Sequence, residues 1–98
     1  MADLRVVAVI PAKPGSEDTV RAALNTLADA SRGHQGCLSY DLFESAASPG
    51  TFVTIESWTG QEDLDAHMGT DDVAAAFGAA ADHLAGEVAI HPLVPAGS

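Results

Sequence analysis

The sequence predicts an α+β domain of the split βαβ, or ferredoxin-like, kind: an antiparallel sheet with helices on one face. Three observations predict it. Element types alternate in the order βαββαβ, with the second helical stretch broken in two. The run Ser45-Ala46-Ala47-Ser48-Pro49-Gly50 is turn chemistry between two β-rich segments, so the middle strands form a hairpin. Ninety-eight residues suit one core and one domain, expected over residues 1–98 with its core at about 4–92 and a tail at 93–98.

Leu4 to Ile10 is β-rich and apolar on both faces, as an interior strand requires. Pro11 to Gly15 ends it. Ser16 is placed to cap a helix whose first turn carries Glu17 and Asp18, and Val20, Ala23, Leu24, Leu27 and Ala28 form its apolar stripe. Arg32 and Gly33 mark its end. Gly36 opens a second strand, Cys37 to Glu44, in which Leu38, Tyr40 and Leu42 alternate with Ser39 and Asp41. Thr51 to Trp58 is the third strand, rich in β-branched and aromatic residues. Thr59 with Glu62 fits a capping box for a short helix, and Gly69-Thr70 breaks and re-caps the chain near Asp71. The next helix carries Val73, Phe77, Ala80, Ala81 and Leu84 on one face, and a last strand runs through Val88, Ala89 and Ile90. The segment from Pro92 on reads as an extended or loose tail.

Helices can cover only one face of this sheet. The other, with Val53 and Ile55, is apolar and needs a cover, and a second copy of the same sheet is the simplest one. A homodimer is therefore expected.

Four Lys+Arg against fourteen Asp+Glu give a formal charge of −10, which argues against nucleic-acid or anionic-membrane partners. No basic leader and no membrane-length apolar run is apparent, so a cytoplasmic location is expected. The single Cys37 excludes an intrachain disulfide and a multi-cysteine metal site. His34, His83 and His91 lack metal-type spacing and read as surface residues. No metal site is expected.

The informative stretch is Thr51 to His67. On a strand, Phe52, Thr54, Glu56 and Trp58 share one face, which gives a core face a carboxylate and an indole. In the helix that follows, Leu64, His67 and Met68 share a face at i, i+3 and i+4. Folding that helix back on its strand brings His67 toward Glu56 and Trp58, a combination suited to a small-molecule site. Each residue also has a structural role open to it: Trp58 as a core ring, His67 as a satisfied histidine, Glu56 as a partner of Arg5, Tyr40 as packing.

The order βαββαβ, Gly36-Cys37-Leu38-Ser39-Tyr40, Phe52-Val53-x-x-Glu56-x-Trp58, and Gln61-Glu62-Asp63-Leu64 leading to Ala66-His67 and a helix with Phe77 resemble the antibiotic biosynthesis monooxygenase family. That family forms dimeric α+β barrels and includes quinol monooxygenases. The resemblance implies oxidation of a quinol or a polycyclic phenol or anthrone by O2 with no cofactor. It implies a catalytic set of His67 as proton partner, Trp58 as substrate-orienting ring and Glu56 behind them, holding one of the two in place. Tyr40, Phe52, Thr54, Met68 and Phe77 would bind substrate. Polyketide-oxidising members carry asparagine four residues before the tryptophan, where this chain has Thr54, so a quinol is as open as an anthrone. The haem-degrading branch has an iron-ligating histidine at the position of Phe77, which cannot bind iron. Two other classes remain open at this point. One is a non-redox isomerase or lyase for a small carbonyl compound with His67 as base. The other is a non-catalytic ligand-binding dimer in which Trp58 and His67 only pack.

Overall fold

A computed structural model describes residues 3–97, so Met1, Ala2 and Ser98, at the edges of the expected domain and tail, lie outside the described residues. The elements are β1 (Leu4–Pro11), α1 (Glu17–Ser31), β2 (Cys37–Glu44), β3 (Thr51–Trp58), α2 (Gln61–Met68), α3 (Asp71–Ala80), a 3-10 turn at Ala81–His83, and β4 (Ala89–Leu93). The four strands form one antiparallel sheet in the order β2-β3-β1-β4, the ferredoxin-like order expected from the sequence.

Strand parity divides the sheet into two unlike faces. Val6, Ala8, Ile10, Phe52, Thr54, Glu56 and Trp58 are buried beneath the helices. One core cluster joins Val6, Leu27, Ala28, Tyr40, Trp58, Leu64, Val73 and Ala76. A second, toward the other end of β3, joins Ile10, Val20, Leu24, Phe52 and Ala80. On the opposite face the registers set Phe43 beside Val53, Val9 and Ala89, and Asp41 beside Ile55, Val7 and His91. Among the described residues no element lies over these rows, and Phe43 and Ile55 stay exposed. The helix-free face is thus mostly apolar.

Local chemistry departs from the sequence reading at four points. Ser16 precedes α1 at the cap position, but its hydroxyl bonds His83 Nδ1 (3.0 Å) rather than a backbone N–H. Gly60, not Thr59, is the residue before α2, and the Thr59 hydroxyl donates to the Asp63 carboxylate, so the capping box does not form. A register shift between Cys37 and Ser39 leaves Leu38 as the extra residue of a bulge, turned out to solvent. β4 begins at Ala89 and runs to Leu93, taking in Pro92, which an edge strand tolerates because no ladder donor is needed on its outer side. At Gly69-Thr70 the expected break does form, and the Thr70 hydroxyl accepts from Val73 N (3.3 Å) to cap α3.

Candidate active site

β3 supplies the floor of the site. Because residues two apart share a face, Thr54, Glu56 and Trp58 stand in a row beneath the helices. Trp58 Nε1 donates to Glu56 Oε1 (2.9 Å) and Thr54 Oγ1 donates to Glu56 Oε2 (2.7 Å). Both carboxylate oxygens are thereby used, and no cation among the described residues joins them. Arg5, an imagined partner for Glu56, lies on the other face of the sheet beside Ser57. Burial raises the Glu56 pKa, and the Thr54 and Trp58 hydrogen bonds oppose it. Tyr40, reaching in from β2, has its phenol pushed far above its ordinary value, first by burial and then by the Glu56 charge.

α2 supplies the roof. Only Leu64 and His67 of its eight residues are buried, because a two-turn helix meets the sheet along one narrow edge. The His67 ring centroid lies 4.6 Å from that of Trp58 and 5.7 Å from that of Tyr40, both tilted. Burial, and after it the neighbouring His34, bring the His67 pKa down to about 4, so the ring is neutral at pH 7.

His34 corrects the sequence reading, which placed it on the surface. It sits in the tight turn after α1, where its carbonyl accepts from Cys37 N (3.2 Å). Its Nδ1 lies 2.9 Å from His67 Nδ1 and its Nε2 lies 2.8 Å from Asp72 Oδ2 in the first turn of α3. A line of polar atoms therefore runs from the interior at His67 to the half-exposed Asp72. Separations of 33 and 38 residues leave no local spacing by which the sequence could reveal it.

The remaining expected site residues divide. Tyr40 and Thr54 stand with Trp58, Glu56 and His67, and Phe77 packs half-buried against the same cluster. Phe52 does not join them. It lies six residues up β3, about 20 Å at the strand rise, in the second core cluster, with the Arg21 guanidinium 5.3 Å from its ring centroid. Met68, expected as a pocket wall, is 40% exposed, since one residue past His67 the helix surface has already turned to solvent. The cluster itself is closed: Trp58, Glu56, Tyr40 and His67 are each at most 4% exposed and fill the space between sheet and helices. Among the described residues no three His, Cys, Asp or Glu side chains converge in a metal-binding group.

The profile of the family described as Antibiotic biosynthesis monooxygenase matches residues 3–79. The chain belongs to the antibiotic biosynthesis monooxygenase family. The matched segment contains every residue of the cluster just described. The Mycobacterium tuberculosis protein named "Putative monooxygenase Rv0793" is 35% identical over 65 residues, covering 66% of this chain and 63% of that protein's length. Its solved structure superposes with a TM-score of 0.88 at 29% identity, over 99% of this chain and 98% of that one. PA3566 from Pseudomonas aeruginosa superposes with a TM-score of 0.89 at 28% identity, over 99% and 97% of the two chains. Membership in the antibiotic biosynthesis monooxygenase family supports a monooxygenase-like function for this chain. Among the described residues no helix is long and apolar enough to cross a membrane.

Proposed function

We propose that the chain is a cofactor-independent monooxygenase that oxidises a quinol or an anthrone-type phenol with O2. One observation carries the proposal: a neutral, buried His67 stands against the Trp58 and Tyr40 rings and has a polar outlet through His34. A neutral imidazole can take the phenolic proton, and the phenolate left behind is the form that gives an electron to O2. For a quinol, one oxygen atom enters the ring at a C–H position, the ring ends as a hydroxyquinone, and the other oxygen leaves as water. The four electrons needed come from the ring. Tyr40, Trp58, Leu64 and Phe77 give the aromatic substrate an apolar enclosure, and Glu56 fixes the indole through its Nε1 hydrogen.

Access requires α2 to move. Only Leu64 and His67 of its side chains are buried, and it is flanked by Gly60 and Gly69, so lifting it exposes few apolar side chains. The chain acts as a homodimer, with the apolar rows Phe43–Val53–Val9–Ala89 of two sheets facing each other.

The closure of the cluster favours a second reading, in which Trp58 and His67 are packing in a non-catalytic, ligand-binding dimer. Oxygen uptake by metal-stripped protein against a panel of quinols and anthrones separates the two. Uptake that survives chelation and falls about 10²-fold or more in His67→Ala supports the monooxygenase. Uptake no faster than autoxidation overturns the monooxygenase and leaves the binding reading; uptake that is equally fast in His67→Ala keeps the oxygenation and removes His67 from its mechanism.

A further inference from the structure

The three-residue line Asp72–His34–His67 has a directional consequence. The Asp72 carboxylate only accepts hydrogen bonds, so at 2.8 Å the hydrogen must lie on His34 Nε2. In neutral His34 the other nitrogen, Nδ1, then carries a lone pair. At 2.9 Å from it, His67 Nδ1 must supply the hydrogen. Neutral His67 is thereby left with a bare Nε2, for which no partner occurs among the described residues.

We propose that Asp72 and His34 set the tautomer of His67, so that Nε2 is its proton-accepting atom, and that His34 takes over the charge when a proton arrives there. The role, though not the tautomer, rests on the monooxygenase reading. A proton from the substrate binds His67 Nε2. The proton on His67 Nδ1 crosses to His34 Nδ1, and His34 becomes an imidazolium hydrogen-bonded to Asp72. His67 ends neutral with its hydrogen on Nε2, so no charged ring is left in the interior. Two protons have each moved one step and none is lost. Running the steps backwards returns the proton through Nε2 to an oxygen of the reduced dioxygen adduct, so the relay is restored at the end of each turnover.

The location of the charge is the physical gain. An imidazolium at His67 would sit among Trp58, Tyr40 and Leu64 with almost no contact with water. On His34 it lies against a carboxylate whose side chain is 53% exposed, in a ring that is itself 15% exposed. The geometry is held from both sides. The Thr70 hydroxyl donates to the His67 carbonyl (2.7 Å) and caps α3, tying the end of α2 to the turn that bears Asp72. On the other side, His34 N donates to Ser31 O (3.0 Å), fixing the turn after α1. Asp72 and His34 are positioning residues; of the three, only His67 would touch substrate.

Long-range ¹H–¹⁵N correlation of the imidazole rings in the ¹⁵N-labelled full chain, near pH 8 and without substrate, tests this. The expected spectrum has His67 protonated on Nδ1 with a bare Nε2, and His34 protonated on Nε2. Asp72→Ala, at an exposed site where folding is not at stake, should release His34 and shift His67 toward the Nε2-protonated form. Asp72→Asn, whose amide oxygen still accepts from His34 Nε2, should restore the original pattern. A wild-type His67 protonated on Nε2, or a His67 tautomer indifferent to Asp72→Ala, overturns the proposal. Oxygen uptake in the same proteins keeps the two ideas apart. The expected tautomers without uptake sink the quinol reading alone, and uptake with a reversed His67 tautomer sinks the relay alone.

Discussion

Acidification should destabilise this protein through His67 before it acts on most carboxylates. The His67 pKa lies at about 4 in the folded chain against 6.5 for an unperturbed ring, chiefly because burial disfavours the imidazolium. Between these values the unfolded chain binds a proton that the folded chain does not. Stability therefore rises with pH through the window and is lost as pH falls from 6.5 toward 4. At about 1.4 kcal/mol per pH unit, the loss by pH 4.5 comes to about 2.5 kcal/mol, a large share of a small domain's stability. Glu56 works in the opposite sense. Its raised pKa makes the folded chain the better proton binder just above 4.5, so acid relieves some of the cost of its buried charge. The comparison with His67→Asn cancels that contribution, since the asparagine amide can still donate toward His34 but does not titrate. Urea unfolding of both proteins at pH 7.5, 6.0, 5.0 and 4.5, at fixed protein concentration and ionic strength, should give curves that converge by about 2–3 kcal/mol on acidification. Parallel curves would mean that His67 titrates alike in the folded and unfolded states, and the account of a desolvated neutral ring would fail.

Four further substitutions probe other parts of the structure. Glu56→Ala leaves Trp58 Nε1 and Thr54 Oγ1 without their acceptor and should cost about 2–4 kcal/mol in denaturant unfolding. Glu56→Gln keeps an acceptor for the indole, removes a charge that no cation balances, and should equal or exceed wild type at pH 7.5. Val53→Glu, in the middle of the apolar face, should convert the proposed dimer into a monomer by light scattering while the circular dichroism spectrum is retained; an unchanged mass would refute pairing through this face. Gly36→Ala meets two obstacles at once, a φ of +78° and a Cβ that would sit 2.2 Å from Asp63 Cγ, and should lose about 1–3 kcal/mol in the same unfolding assay.

Much of the fold was legible because two periodicities dominate it. β2 and β3 occupy the predicted spans Cys37–Glu44 and Thr51–Trp58, and alternation alone assigned Thr54, Glu56 and Trp58 to one face. What alternation could not show is an interruption of itself. The bulge at Leu38 follows from how β2 meets the end of β3, a pairing absent from the local pattern. Capping was misread at Thr59 because Asp63, four residues on, competes for its hydroxyl. The resemblance made Phe52 a pocket wall, whereas six residues of strand separate it from Trp58 and it packs in the second core cluster. His34 was the largest omission. A lone histidine in a turn carries no signal until tertiary packing sets it between α2 and α3.

One register governs both halves of the functional argument. β3 is the only strand bearing the Thr54–Glu56–Trp58 row, and its alternate residues Val53 and Ile55 lie at the centre of the helix-free face. A slip of β3 by one residue would carry Glu56 and Trp58 out to the uncovered side and set Val53 and Ile55 beneath the helices. Burial of apolar side chains alone would resist such a slip only weakly, because Val and Ile suit a core at least as well as Glu does. The positive φ at Gly50 and the Gly50 N–H donated to Glu44 Oε2 (2.9 Å) fix the hairpin turn. The Glu56 hydrogen bonds then favour the register in which carboxylate, hydroxyl and indole satisfy one another. The polar row thus selects the pairing that also leaves outside the apolar surface on which the proposed dimer rests.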